Sequence, residues 1–129
     1  MAPPLIVFVN HNEALLRQAQ LVLTREGFRV VVWGVGEGAE AMIEQENPDL
    51  VVLDLWLERA GSGWDLFEAI RGNPDIANVP IIITSEESEA LEKRRPLISG
   101  DDNAVLFRKP YDWEVMLHTI KAMIAATPA

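Results

Sequence analysis

The feature that most constrains the fold is a set of short apolar runs that do not alternate with polar residues. Leu5-Ile6-Val7-Phe8-Val9, Leu50-Val51-Val52-Leu53 and Ile81-Ile82-Ile83 are continuous and of strand length. A strand with one wet face alternates apolar and polar side chains. Uninterrupted runs therefore point to strands buried on both faces, as in a parallel sheet covered by helices. Phe28 to Trp33 and Ala104 to Phe107 supply two more strands.

The segments between them have helical spacing. Asn12 caps a first helix with Leu15, Ala19, Val22 and Leu23 as its apolar positions, and Gly27 stops it. Glu37 to Glu46 forms a second, with Ala39, Met42 and Ile43 on one face, ended by Asn47-Pro48. Trp64 to Arg71 forms a third, closed by Gly72-Asn73-Pro74. A charged fourth runs from Glu86 to Arg95, where Pro96 disturbs it. Asp112 caps a fifth, with Val115, Leu117, Ile120 and Ile124 apolar, and the tail Ala125 to Ala129 is expected to fray. Right-handed crossovers reduce these strand–helix units to a doubly wound α/β sandwich of three layers around a five-stranded parallel sheet. The 129 residues suit one domain over 1–129, with its core from 5 to 124.

Charge and composition exclude several functions. Eleven Lys and Arg against 20 Asp and Glu give a net charge of −9, the opposite of a nucleic-acid footprint, and an anionic membrane surface would repel the chain. With no cysteine there is no disulfide, thiolate metal site or cysteine nucleophile. No apolar run approaches the roughly 18 residues of a membrane span. Met1-Ala2-Pro3-Pro4 lacks a basic leader and a long apolar segment, so the expected location is cytoplasmic.

In a doubly wound sheet, function collects at the carboxyl ends of the central strands. Those ends read Asn10-His11-Asn12, Asp54, Thr84-Ser85 and Arg108-Lys109-Pro110. A carboxylate, a hydroxyl, a lysine and a polar pair would converge on one crevice, and Lys109-Pro110 is a candidate cis peptide. Two other motifs stand out. Gly34-Val35-Gly36-Glu37-Gly38-Ala39 has the form of a dinucleotide fingerprint but also suits a plain loop. Lys93-Arg94-Arg95 is a basic run that suits either a solvated helix face or contact with an acidic partner.

Three pieces in order, Pro48-Asp49-Leu50-Val51-Val52-Leu53-Asp54, Pro80-Ile81-Ile82-Ile83-Thr84-Ser85 and Lys109-Pro110-Tyr111, give the chain its family likeness. From Leu5 to about Ile124 it resembles the receiver domain of bacterial two-component response regulators. The resemblance implies a flavodoxin-like sheet of order 2-1-3-4-5. It implies that Asp54 is the phosphoacceptor and that Ser85, five residues after Pro80, is the switch hydroxyl. Lys109 would pair with the phosphoryl oxygens, and the backbone carbonyl of Trp56 would help hold Mg²⁺. Leu106 falls where many receivers carry an aromatic switch residue. The implied chemistry is attack of the Asp54 carboxylate on the phosphorus of a partner's phosphohistidine. The implied partners are a sensor histidine kinase or phosphotransfer protein and an unknown downstream protein. A homodimer through the fourth helix, fifth strand and fifth helix is also implied. Such a domain is a switch rather than an enzyme, and the chain reads as a stand-alone one.

The match breaks where metal would bind. Receivers usually carry two acids after the first strand, and this chain has Asn10-His11. Asn10 offers a carbonyl oxygen, whereas His11 suits transition metals better than Mg²⁺. Of the metal-site positions Asn10, His11, Asp54 and Trp56, only Asp54 brings a carboxylate, so Mg²⁺ binding is expected to be weak. Glu58 stands where a proline is usual, and Gly63 lies one residue beyond the usual glycine. The alternative is a pseudo-receiver that binds proteins without phosphorylation. A nucleotide-binding module is the third reading.

Overall fold

In the computed structural model, residues 2–57, 62–86, 88–110 and 112–126 are described. The elements run β1 (Leu5–Val9), α1 (Glu13–Arg25), β2 (Arg29–Trp33), α2 (Ala39–Glu46), β3 (Leu50–Asp54), α3 (Ser62–Arg71), β4 (Ile81–Ser85), α4 (Glu89–Ser99), β5 (Ala104–Arg108) and α5 (Trp113–Ala126). All four strand pairings are parallel, and the order is β2-β1-β3-β4-β5. This is the doubly wound parallel sheet that the apolar runs imply, in the flavodoxin-like order that the family resemblance implies.

The continuous runs are continuous because each strand feeds two cores. Val7, Val9, Val51, Leu53, Ile81 and Ile83 pack with Ile43 of α2, Phe67 and Ile70 of α3, and Leu91 and Ile98 of α4. Their neighbours Ile6, Phe8, Leu50, Val52 and Ile82 pack on the other face with Leu16, Ala19 and Leu23 of α1 and Met116 and Ile120 of α5. A one-residue slip would exchange the two sets, so both cores specify the register.

Several boundaries differ from the sequence reading. The second helix starts at Ala39 rather than Glu37, because Gly38 takes a left-handed φ of 76°. A Cβ on Gly38 would lie 3.1 Å from the Trp33 ring, and Trp33 Nε1 donates to Glu37 O at 3.0 Å. Turn geometry under Trp33 thus accounts for the glycine at position 38. The fourth helix starts at Glu89, where the Ser88 side chain accepts from Leu91 N. It continues through Pro96 to Ser99, because buried Leu91 and Ile98 hold it on both sides of the proline. In α5, Val115 is exposed; Met116 and Ile120 are the buried positions. Asp112 does cap this helix, accepting from Glu114 N at 2.7 Å. The expected fraying of the tail concerns residues 127–129, which lie outside the described residues.

The end of the sheet opposite the carboxyl ends is closed by two side chains. Asp49 accepts from Leu5 N at 2.7 Å and joins the starts of β1 and β3. Arg71 binds Asp101 through two N–H groups at 2.6 and 3.2 Å. It also donates to the carbonyls of Ala77, Val79 and Asn103. One guanidinium therefore joins the end of α3 to the segments entering β4 and β5. Burial pushes the Asp101 carboxyl up, but the Arg71 hydrogen bond, the Asn103 N–H and the Arg71 charge outweigh it and hold it below its ordinary value. The resulting stability is present above the ordinary carboxylate range and is lost as pH falls through the lowered folded-state value. Urea unfolding across acidic pH should show this loss in the parent and a flatter profile in Arg71→Met. At neutral pH, Arg71→Ala should cost about 2–3 kcal/mol, since it strands three carbonyls and a carboxylate.

Candidate functional site

Strand register alone sets Asn10, Asp54 and Thr84 side by side. Val9 pairs with Leu53, so the next residues, Asn10 and Asp54, are neighbours; Asp54 pairs with Thr84. Lys109 continues β5, its N–H donating to Ser85 O at 2.8 Å, and the Lys109–Pro110 peptide is cis. His11, Asp54, Trp56, Ser85, Glu86, Ser88 and Lys109 line a cavity of about 350 Å³. The crevice expected from the strand ends is thus present.

Asp54 is 1% exposed, and every described contact to its carboxylate is a donor. Lys109 Nζ lies 2.5 Å from Oδ2, Asn10 Nδ2 donates to the same oxygen at 3.0 Å, and Trp56 N donates to Oδ1 at 3.1 Å. The orientation of the Asn10 amide follows from its partners. Asn12 N, which can only donate, lies 2.9 Å from Asn10 Oδ1. An ionised Asp54 can only accept, so the Asn10 NH₂ must face it. The backbone supports the site from below. A Cβ on Gly63 would lie 2.0 Å from Asp54 O and 2.6 Å from the Leu55 carbonyl, so the start of α3 rests directly on the chain that carries Asp54.

The family model for the response regulator receiver domain matches residues 6–121. The chain is 33% identical over 121 residues to the phosphate regulon transcriptional regulatory protein PhoB of Rhizobium meliloti, covering 94% of this chain and 52% of that protein. It is 30% identical to the transcriptional regulatory protein AfsQ1 of Streptomyces coelicolor, covering 94% and 51%. The chain belongs to the response regulator receiver domain family. It spans about half the length of these curated relatives. Among solved structures, it is similar to the non-phosphorylated HemR receiver domain of Leptospira biflexa, with TM-score 0.79, 26% identity and 98% coverage of each chain. It is also similar to the BeF3-activated N-terminal receiver domain of Klebsiella pneumoniae RstA, with TM-score 0.75, 27% identity, and 93% and 97% coverage.

Receiver domains typically bind Mg²⁺ at an acidic pocket, and the residues here do not fit that ion. Mg²⁺ needs oxygen ligands in octahedral array. Asn10, expected to offer a carbonyl oxygen, instead turns its NH₂ toward Asp54, because the Asn12 N–H takes the oxygen. His11, exposed and lining the cavity, offers a nitrogen rather than an oxygen, and the one described contact of Trp56 with Asp54 is its donating N–H, which does not bear on the carbonyl named above. Among the described residues no three His, Asp or Glu side chains cluster to hold a metal. Glu58, the acid that could have restored a ligand, lies outside the described residues.

The two hydroxyls at the end of β4 differ. Ser85 lines the cavity but donates to Glu86 O at 2.9 Å rather than to Asp54. Thr84 is fully buried, does not line the cavity, and its Oγ1 has no hydrogen-bond partner among the described residues. Sequence reasoning missed Ser88 and Glu86 as cavity residues and the seat under Gly63. The Ser88-x-x-Leu91 cap spacing would have placed Ser88 at the helix start.

Lys109→Met should lower stability by about 2–4 kcal/mol by leaving a buried carboxylate short of a partner. Adding Asp54→Asn should restore most of it, and a double-mutant cycle by denaturant unfolding reads the coupling. Gly63→Ala should displace the Asp54 backbone and shift the Asn10 side-chain amide resonances, whereas Gly72→Ala, near no site residue, should leave those resonances in place.

Proposed function

We propose that this receiver domain works by contact with partner proteins and that its Asp54 pocket is charge-balanced without a metal ion. The observation that carries the reading is the shared acceptor: Lys109 Nζ and Asn10 Nδ2 both bind Asp54 Oδ2. One ammonium neutralises the one buried carboxylate, while Glu86, the other acid lining the cavity, is exposed to solvent; the Asn10 amide and Trp56 N–H supply the further hydrogen bonds that a buried pair requires. A pocket with two more acids would need a divalent cation for the same balance; this one does not. Receiver domains interact with histidine kinases or phosphotransfer proteins, and we take a protein of this kind, or a downstream target, as the partner here. With 20 acids against 11 bases, residues 1–129 do not themselves form a nucleic-acid surface. Any effect on transcription would pass through a protein contact or another domain. We read these residues as a single domain.

A second reading has its own support, since Ser85 and Lys109 line the same cavity as Asp54. In it, an Asp54 oxygen attacks the phosphorus of a phosphohistidine; the new P–O bond forms as the P–N bond breaks. Lys109 meets the charge that arrives on the phosphoryl oxygens.

Intact-protein mass spectrometry after incubation with acetyl phosphate separates the two, with Asp54→Asn as control. The metal-free reading expects no phosphoryl gain with or without Mg²⁺. A Mg²⁺-dependent gain of one phosphoryl group, lost in Asp54→Asn, would establish the second reading instead. The double substitution Asn10→Asp with His11→Asp should tighten Mg²⁺ binding by about tenfold or more, because it adds charged oxygen ligands.

A further inference from the structure

The basic run on α4 is divided by the structure. Lys93 is exposed, and Arg95 pairs with Glu92 at 2.9 Å. Arg94 turns toward α3. Its guanidinium carbon lies 5.4 Å from the centroid of the Trp64 ring, and its Nη1 donates to Ala90 O at 3.1 Å. Its Nε is buried and has no hydrogen-bond partner among the described residues. A buried N–H without an acceptor is unfavourable, and here the indole face is the compensating partner.

The contact extends along α3. Trp64 stacks on Phe67 at 5.0 Å, and Arg71 lies 5.2 Å over Phe67. Arg94, Trp64, Phe67 and Arg71 thus form one column, and Arg71 holds Asp101 just beyond the end of α4. Leu91 and Ile98 seat α4 on the core, and the Arg94 contact adds a tie from α4 to α3.

Two further contacts bring the column to the Asp54 pocket. Gly63, next to Trp64, packs on the carbonyls of Asp54 and Leu55. Ser88, which caps α4, lines the cavity with Asp54. Leu106 of β5 packs against the same core.

We propose that Arg94 is a positioning residue through which the Asp54 pocket and α4 sense each other. Its guanidinium on Trp64 ties α4 to the helix start that rests on the Asp54 backbone. A change in how Asp54 is held moves that start, and the stacked pair passes the change to α4. The proposal is independent of which chemistry occurs at Asp54.

The test uses amide hydrogen exchange over residues 89–99 in the parent, Asn10→Ala, Arg94→Met and the double variant. Asn10→Ala removes one donor from Asp54 without touching α4. It should speed exchange in α4 about threefold or more in the parent, and leave the rate unchanged when Arg94 is Met. Arg94→Lys, which keeps a cation for the ring, should restore part of the response. A purely structural role would raise the baseline in Arg94→Met but leave the Asn10→Ala ratio intact. That intact ratio, or no response in the parent, overturns the proposal. If Arg94→Met fails to unfold cooperatively, Trp64→Phe weakens the same contact from the other side, and the same two outcomes apply.

Discussion

A buried carboxylate held by three donors organises this domain. Asp54 is nearly inaccessible to water, and Lys109, Asn10 and the Trp56 N–H all point at it. An unpaired charge at that depth would be strongly destabilising, so the residues that supply the donors must be brought together whenever the chain folds. They come from the ends of β1 and β5 and from the loop after β3, and the parallel order β1-β3-β4-β5 brings all of them to Asp54. The two apolar cores set the register that puts Asn10 and Asp54 at the same level. Gly63 then allows α3 to start against the Asp54 backbone, where any side chain would collide.

The pocket differs from an acidic receiver pocket in the charge of its first strand-end residue, which is a neutral amide here. An acid there would repel Asp54 and call for a cation. Asn10 donates instead, and its own oxygen is taken by Asn12 N. The same position thus changes from ligand to donor through one amide group. Local electrostatics, rather than a difference in fold, separates this member from the usual pattern of its family.

The fold was legible because burial on both faces leaves a strong trace: five short apolar runs with helices between them admit very few arrangements. The elements that strayed did so where local signals compete. Gly38 needs a left-handed turn and shortens α2, while Leu91 and Ile98 hold α4 through Pro96 against the proline's preference. The candidate site was legible as a set of residues, since Asp54, Lys109 and Ser85 stand at strand ends. Their contacts were not. Which end of the Asn10 amide faces Asp54 depends on Asn12, and the Ser85 hydroxyl is taken by Glu86 O. The inward turn of Arg94 was hidden within a basic run, because charge pattern does not say which cation of three finds an aromatic face.

The central claim is that Asp54 is satisfied by protein donors alone. The most direct measurement is a Mg²⁺ titration of the unmodified protein, following the Asn10 side-chain amide resonances by NMR. The account predicts that these resonances stay in place through millimolar Mg²⁺, because no ion displaces the amide from Asp54. A saturable shift in that range would contradict it, since the amide would then have given way to a bound cation.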